Sequence, residues 1–162
     1  TASQQVCILL NLENDGGWNY EDLKEKAISM ACSLACRLTR QAVSVSLLSN
    51  GCDILTGNEL VIEAGCDDGH RSSIMTALAR IDLKKQSRDF EAVIEEHVKE
   101  LGNDMIYCMI STSGRIPLQK YFVELTGGAS DSMWIYPCHK SFERNFDYLG
   151  GTDVVCWEVE HE

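Results

Sequence analysis

Two stretches far apart in the chain are rich in oxygen donors: Asn11-Leu12-Glu13-Asn14-Asp15 and Ser111-Thr112-Ser113. Each follows a continuous apolar run, Val6-Cys7-Ile8-Leu9-Leu10 in one case and Met105-Ile106-Tyr107-Cys108-Met109-Ile110 in the other. Carboxylates, amides and hydroxyls gathered in one place are the ligands a hard cation such as Mg²⁺ takes. In an open α/β sheet the loops at the carboxyl ends of neighbouring strands form the ligand crevice. The plainer alternative is that Asn14 and Asp15 shape a turn while the serines cap a helix.

Other chemistries find less support. There is no G-x-x-x-x-G-K-[ST], and the first apolar run is not followed by G-x-G-x-x-G, so no phosphate cradle is encoded. Ser111 and Ser113 lack the G-x-S-x-G elbow of a serine nucleophile. Of the four histidines, His97 falls on an apolar helical stripe, His139 in a loop and His161 beside the chain end. His70, at a helix start, is the one base that Ser111 or Ser113 could use, and a small serine hydrolase built on them is the weakest reading. Cys66 near His70 and Cys138 beside His139 raise zinc, but the paired C-x₂₋₄-C knuckles of a structural site are absent.

The 162 residues carry a net charge of −11. That balance excludes nucleic acid and anionic lipid as natural partners, since both recruit Lys and Arg. No apolar run reaches the roughly 20 residues of a membrane span, and no signal peptide opens the chain. The eight cysteines do not form a short, loop-rich disulfide scaffold; Cys7, Cys108 and Cys156 lie inside apolar runs as small hydrophobes. A reduced, cytoplasmic setting is expected.

Period and punctuation place the two oxygen-rich stretches on one scaffold. After the first strand, Asn19-Tyr20-Glu21-Asp22 has the form of a helix N-cap, and Leu23, Ala27, Ile28, Ala31, Leu34, Ala35 and Leu38 make one apolar arc. Val43–Leu48 alternates as a strand. Asn50-Gly51 predicts a hairpin turn, with Asp53–Thr56 returning antiparallel and Gly57-Asn58 turning again before Leu60-Val61-Ile62. Stripes at Ile74–Ile81 and Phe90–Leu101 predict two helices joined by a basic connector, Leu83–Arg88. Pro117 opens and Gly127 closes the helix after the second apolar strand. Met133–Tyr136 is a strand, Phe142, Phe146 and Leu149 predict a short helix, and Val154–Val159 ends the order. Alternation of this kind implies one α/β domain over residues 1–162. Its expected architecture is a doubly wound, mostly parallel sheet with one antiparallel edge hairpin.

This order resembles a von Willebrand factor A-like domain, a three-layer sandwich. Three segments are similar, more narrowly, to the family called domain of unknown function 58: Ala27–Ala35, Val45–Gly51, and Gly69-His70 ahead of Leu78-Ala79-Arg80-Ile81. The resemblance implies a bacterial protein of which this chain is the C-terminal part, with a membrane-anchored parent and a MoxR-type AAA+ ATPase as partner in complex assembly. It implies no enzymatic activity.

A working metal site in that fold carries D-x-S-x-S after the first strand, a threonine before the helix that follows the hairpin, and an aspartate after the fourth strand. Here those places read Asn11-Leu12-Glu13-Asn14-Asp15, Gly69-His70-Arg71-Ser72 and Ser111-Thr112-Ser113. An amide replaces the leading aspartate, acids replace the serines, and Arg71 would repel a cation. The expectation is therefore a noncatalytic protein-binding module with a degenerate metal site (a degenerate MIDAS) at Asn11, Glu13, Asp15 and Ser111, and no cofactor. Its docking residues would be Asn11, Glu13, Asn14, Asp15, His70, Arg71, Ser111, Thr112 and Ser113. The competing expectation is a divalent-cation-dependent adhesion-type domain using Glu13, Asp15 and Ser111.

Overall fold

The two apolar runs lie side by side at the centre of a six-stranded sheet. The structure is a computed structural model that describes residues 4–14, 19–129 and 131–160. β1 (Gln5–Asn11) pairs in parallel with both β2 (Ser44–Cys52) and β4 (Ile106–Ser111). β3 (Glu59–Gly65) is antiparallel to β2 and forms one edge. β5 (Met133–Cys138) and β6 (Asp153–Glu158) extend the parallel part, giving the order β3-β2-β1-β4-β5-β6.

Both faces of β1 are covered, which is why its residues are apolar without alternation. Val6, Ile8 and Leu10 pack toward α1 (Glu21–Arg40) and α2 (Asp68–Ala79). Cys7 and Leu9 point the other way, into a cluster with Phe90, Val93 and Ile94 of α3 (Phe90–His97) and Leu118 and Phe122 of α4 (Ile116–Thr126). The result is a doubly wound three-layer sandwich. α1 reaches the sheet through the fully buried, small residues Ala27, Ala31 and Ala35. Its acidic first turn and basic last turn match the helix dipole.

Three local expectations are corrected. Asn50-Gly51 makes no turn: β2 runs through it to Cys52, and the pair sits at an irregularity in the β2–β3 register between Ser49 and Cys52. A Cβ at Gly51 would lie 2.8 Å from Leu12 Cδ1, so a larger residue there would make the buried Leu12 side chain shift. The actual turn follows Asp53, whose carboxylate accepts the Leu55 and Thr56 N–H groups, and Gly57 at φ +75° completes it. The returning strand is thus Glu59–Gly65 rather than Asp53–Thr56. Asn19 is not an N-cap either, for the helix begins one residue later and Tyr20 caps it without a side-chain bond. Phe142, Phe146 and Leu149 belong to no helix. Their spacing comes from aromatic packing: Phe146 meets Trp134 and Tyr136 edge-on, and Phe142 meets Tyr20 and His139.

Candidate functional site

β1 and β4 end level with one another, with Asn11 opposite Ser111. Chain connections leave these neighbouring strands for opposite faces of the sheet, the place where doubly wound folds open a crevice. Asn11 is completely buried and all its polar capacity is engaged. Its amide donates to Ser111 Oγ at 2.9 Å and to Glu13 Oε2 at 3.1 Å. Its carbonyl accepts from Asn50 Nδ2 at 2.7 Å and from the Glu13 N–H at 3.1 Å. Asn50 in turn takes the Leu12 N–H and donates to the Arg88 carbonyl, tying β1, β2 and the 80s connector together. Ser111 Oγ donates to the Ser113 carbonyl while accepting from Asn11 and the Ser113 N–H. Thr112 Oγ1 bonds the Glu13 carbonyl.

Glu13, only 8 % exposed, is the one carboxylate among these buried groups. Arg115 holds it through Nη2 at 2.9 Å from Oε2 and reaches Glu91 of α3 with the same guanidinium. Glu13 Oε1 also accepts the Phe90 N–H at the start of α3. Desolvation pushes the Glu13 carboxyl above its usual 4.5, and the Arg115 and Asn11 hydrogen bonds offset part of that rise. Burial opposes the Arg115 charge, but the hydrogen bonds to Glu91 and Glu13 together hold it above its ordinary value.

The donor set formed by the described residues does not fit an octahedral Mg²⁺. Such an ion needs free oxygen lone pairs at short, near-ideal geometry. Here Ser111 has spent its hydroxyl on three partners, Asn11 presents amide hydrogens to Ser111 and Glu13, and the Glu13 carboxylate faces a guanidinium. A positive charge is already built in, on Arg115.

The expected docking residues separate into three groups. Asn11, Glu13, Asn14, Ser111, Thr112 and Ser113 do come together on the rim; Asp15 lies outside the described residues. His70 and Arg71 are a correction: they belong to the opposite edge of the sheet. His70 Nε2 is 2.7 Å from the carbonyl of Val45, which pairs with Val6 at the start of β1. The length of β1, roughly 16 Å at about 3.3 Å per residue, therefore separates them from Asn11. The cause is β3, whose antiparallel run delivers the chain to the amino edge before α2 begins. Arg71 there binds Thr39 Oγ1 and Asp68 rather than facing the rim. The same separation keeps His70 from serving Ser111 or Ser113 as a base.

What fills the third side of the rim is the connector between α2 and α3. With Glu13, Asn14, Asn19, Lys24 and Arg115, its residues Lys84, Gln86, Ser87 and Asp89 line a cleft of about 440 Å³. Arg115, Asn50 and Lys24 are the residues that sequence reasoning missed. Arg115 could have been found from its place one residue past Gly114 at the end of an oxygen-rich loop. Asn50 was hidden by its turn-forming neighbour, and Lys24 by its position in the expected helix, where lysine normally faces water. Elsewhere, Glu59, Glu96 and His97 lie close enough to hold an ion, but Arg88 already sits 2.6 Å from each of the two carboxylates. Burial pushes the Cys7 thiol up to about 11 and that of Cys108 to about 12, which disfavours the reactive thiolate at both.

No family model matches the sequence, and no curated protein is significantly similar to it. Solved structures do share its fold. A conserved hypothetical protein, BatB from Bacteroides thetaiotaomicron, superposes with a TM-score of 0.56 at 12% identity, covering 98% of this chain and 92% of that one. The SpRpn10 VWA domain gives 0.52 at 12% identity, over 96% and 88%. Among the described residues, no helix is long and apolar enough to cross a membrane. With its sheet order, its single antiparallel edge and these neighbours, the chain has a von Willebrand A-like α/β fold.

Proposed function

We propose that this chain is a noncatalytic protein-docking module whose binding surface is the rim formed by the loops after β1 and β4 and the α2–α3 connector, and that it works without a divalent cation. One observation carries the reading: Arg115 occupies the Glu13 carboxylate with a guanidinium at 2.9 Å, in the place where a metal-dependent relative would need an ion. A von Willebrand A-like fold commonly serves protein association, and the partner we propose is a MoxR-type AAA+ ATPase. The net charge of −11 favours a largely basic partner surface.

Calorimetry with millimolar Mg²⁺, Mn²⁺ and Ca²⁺ tests cation independence. No isotherm is expected, and a clear one abolished by Glu13→Ala would establish the cation-dependent adhesion reading instead. Capture of the purified ATPase by wild type and by Asn14→Arg tests the surface. Loss of capture in the variant is expected; equal capture would remove the rim from the docking role.

A further inference from the structure

Beside the Arg115–Glu13 pair, the rim cleft contains a buried charge that meets no counter-ion among the described residues. Lys24, in the first turn of α1, is 1 % exposed. An ammonium has three hydrogens to donate, yet among the described residues its one acceptor is the Leu83 carbonyl at 3.0 Å. Among the described residues Lys24 forms no ion pair; Glu21 and Asp82 act on it only through space. Desolvation accordingly lowers its pKa. Burying a cation in this way is unfavourable for the fold unless a counter-charge arrives from outside.

The lining of the cleft shows what would fit. Among the described residues Arg115 is already committed to Glu13 and Glu91, which leaves Lys24 and Lys84 as the lining cations without an ion pair, beside one further carboxylate, Asp89. A carboxylate brings a single charge to these two lysines, whereas a phosphate dianion brings a second one against Glu13 and Asp89. A polyanionic strand or an anionic membrane would also face the acidity of the whole chain.

We propose that this cleft seats one carboxylate, an Asp or Glu side chain of the protein partner, with the Lys24 ammonium as its counter-charge and Lys84 as a second donor at the mouth. The proposal rests on the rim being the docking surface, and it names the chemical group the partner brings there.

The probe is the capped tripeptide acetyl-Gly-Glu-Gly-amide, titrated into ¹⁵N-labelled protein with acetyl-Gly-Gln-Gly-amide and inorganic phosphate as parallel arms. Saturable amide shifts confined to Leu83–Asp89 and the start of α1 are expected with the Glu peptide alone. Lys24→Met, close in length and free of charge, is expected to weaken binding about tenfold or more while retaining the folded spectrum. Lys84→Ala, at an exposed position, is expected to weaken it a few-fold. Equal shifts with the Gln peptide, tighter binding of phosphate, or undiminished affinity in Lys24→Met would each overturn the proposal. Peptide titration reads the seat alone, whereas capture by Asn14→Arg reads docking by the rim. Peptide binding with unchanged capture would leave the seat standing and remove the docking role. Absent peptide binding with capture lost would do the reverse.

Discussion

Replacing Arg115 by Met removes a charge whose two partners stay behind. The Glu13 side chain is 9% exposed and that of Arg115 30%. Breaking a buried pair by deleting one member costs about 3–5 kcal/mol, because an uncompensated charge remains in a low-dielectric site. Partial exposure of Arg115 admits water to the vacated space, so about 2–3 kcal/mol is the expected loss. For a chain of this size that corresponds to a fall in Tm of roughly 4–12 °C. Thermal unfolding followed by circular dichroism reads it. The pH dependence adds a sign. The folded-state pKa of Glu13 lies above its usual 4.5, so folding binds a proton more readily than the unfolded chain, and stability declines as pH rises through that raised value. Without Arg115 the rise is larger. The gap between variant and wild type is therefore widest near neutrality and closes as Glu13 becomes protonated. Glu13→Gln in the Arg115→Met background should recover much of the loss at pH 7. A Tm within about 1–2 °C of wild type at pH 7, or a gap that widens on acidification, would refute the view of Arg115 as the resident counter-charge.

Other expectations follow from the same contacts. Arg115→Met should acquire millimolar Mn²⁺ affinity that wild type lacks, read by calorimetry, since Glu13 and Glu91 then share a vacated site. Asn50→Ala takes the side-chain partner from the Leu12 N–H and the Arg88 carbonyl and leaves Asn11 Oδ1 with the Glu13 N–H alone, and should cost about 2–4 kcal/mol in urea unfolding. Lys24→Met should stabilise the fold by about 1 kcal/mol. It should also flatten the rise in wild-type stability with pH that a lowered lysine pKa produces below its ordinary 10.5. Gly65→Ala would set a Cβ 2.7 Å from the His70 ring and break the bond to Val45, lowering Tm without altering peptide binding at the opposite rim.

Period and hydropathy were sufficient for the scaffold. Runs such as Val6–Leu10 and Met105–Ile110 admit little but a central strand covered on both faces, and Ala27, Ala31 and Ala35 mark a helix lying close to a sheet. The site was read only in part, for reasons that are local. Asn50-Gly51 signals a left-handed backbone or a tight approach, and both a hairpin turn and an irregular strand satisfy it; side-chain bonds to Leu12 and Arg88 decided between them. The direction of β3 is invisible to hydropathy, and with it goes the edge to which His70 and Arg71 are delivered. The aromatic spacing of Phe142 and Phe146 mimics a helical stripe because each ring packs edge-on into its own aromatic group, Phe142 with Tyr20 and His139 and Phe146 with Trp134 and Tyr136.

A guanidinium in this position changes how such a rim can behave. An exchangeable ion couples docking to the ion's concentration and lets a partner's oxygen complete the coordination shell. Arg115 is covalently fixed at the residue preceding α4, and its two carboxylates stand after β1 and in the first turn of α3. The charge therefore ties three elements on one face of the crevice and leaves no open coordination position for a ligand. On the docking we propose, attraction comes from neighbouring cations that form no ion pair among the described residues, Lys24 and Lys84. Under that proposal, removal of divalent ions leaves the Lys24 contact intact, and added salt weakens it only modestly, because a buried pair is screened less than an exposed one.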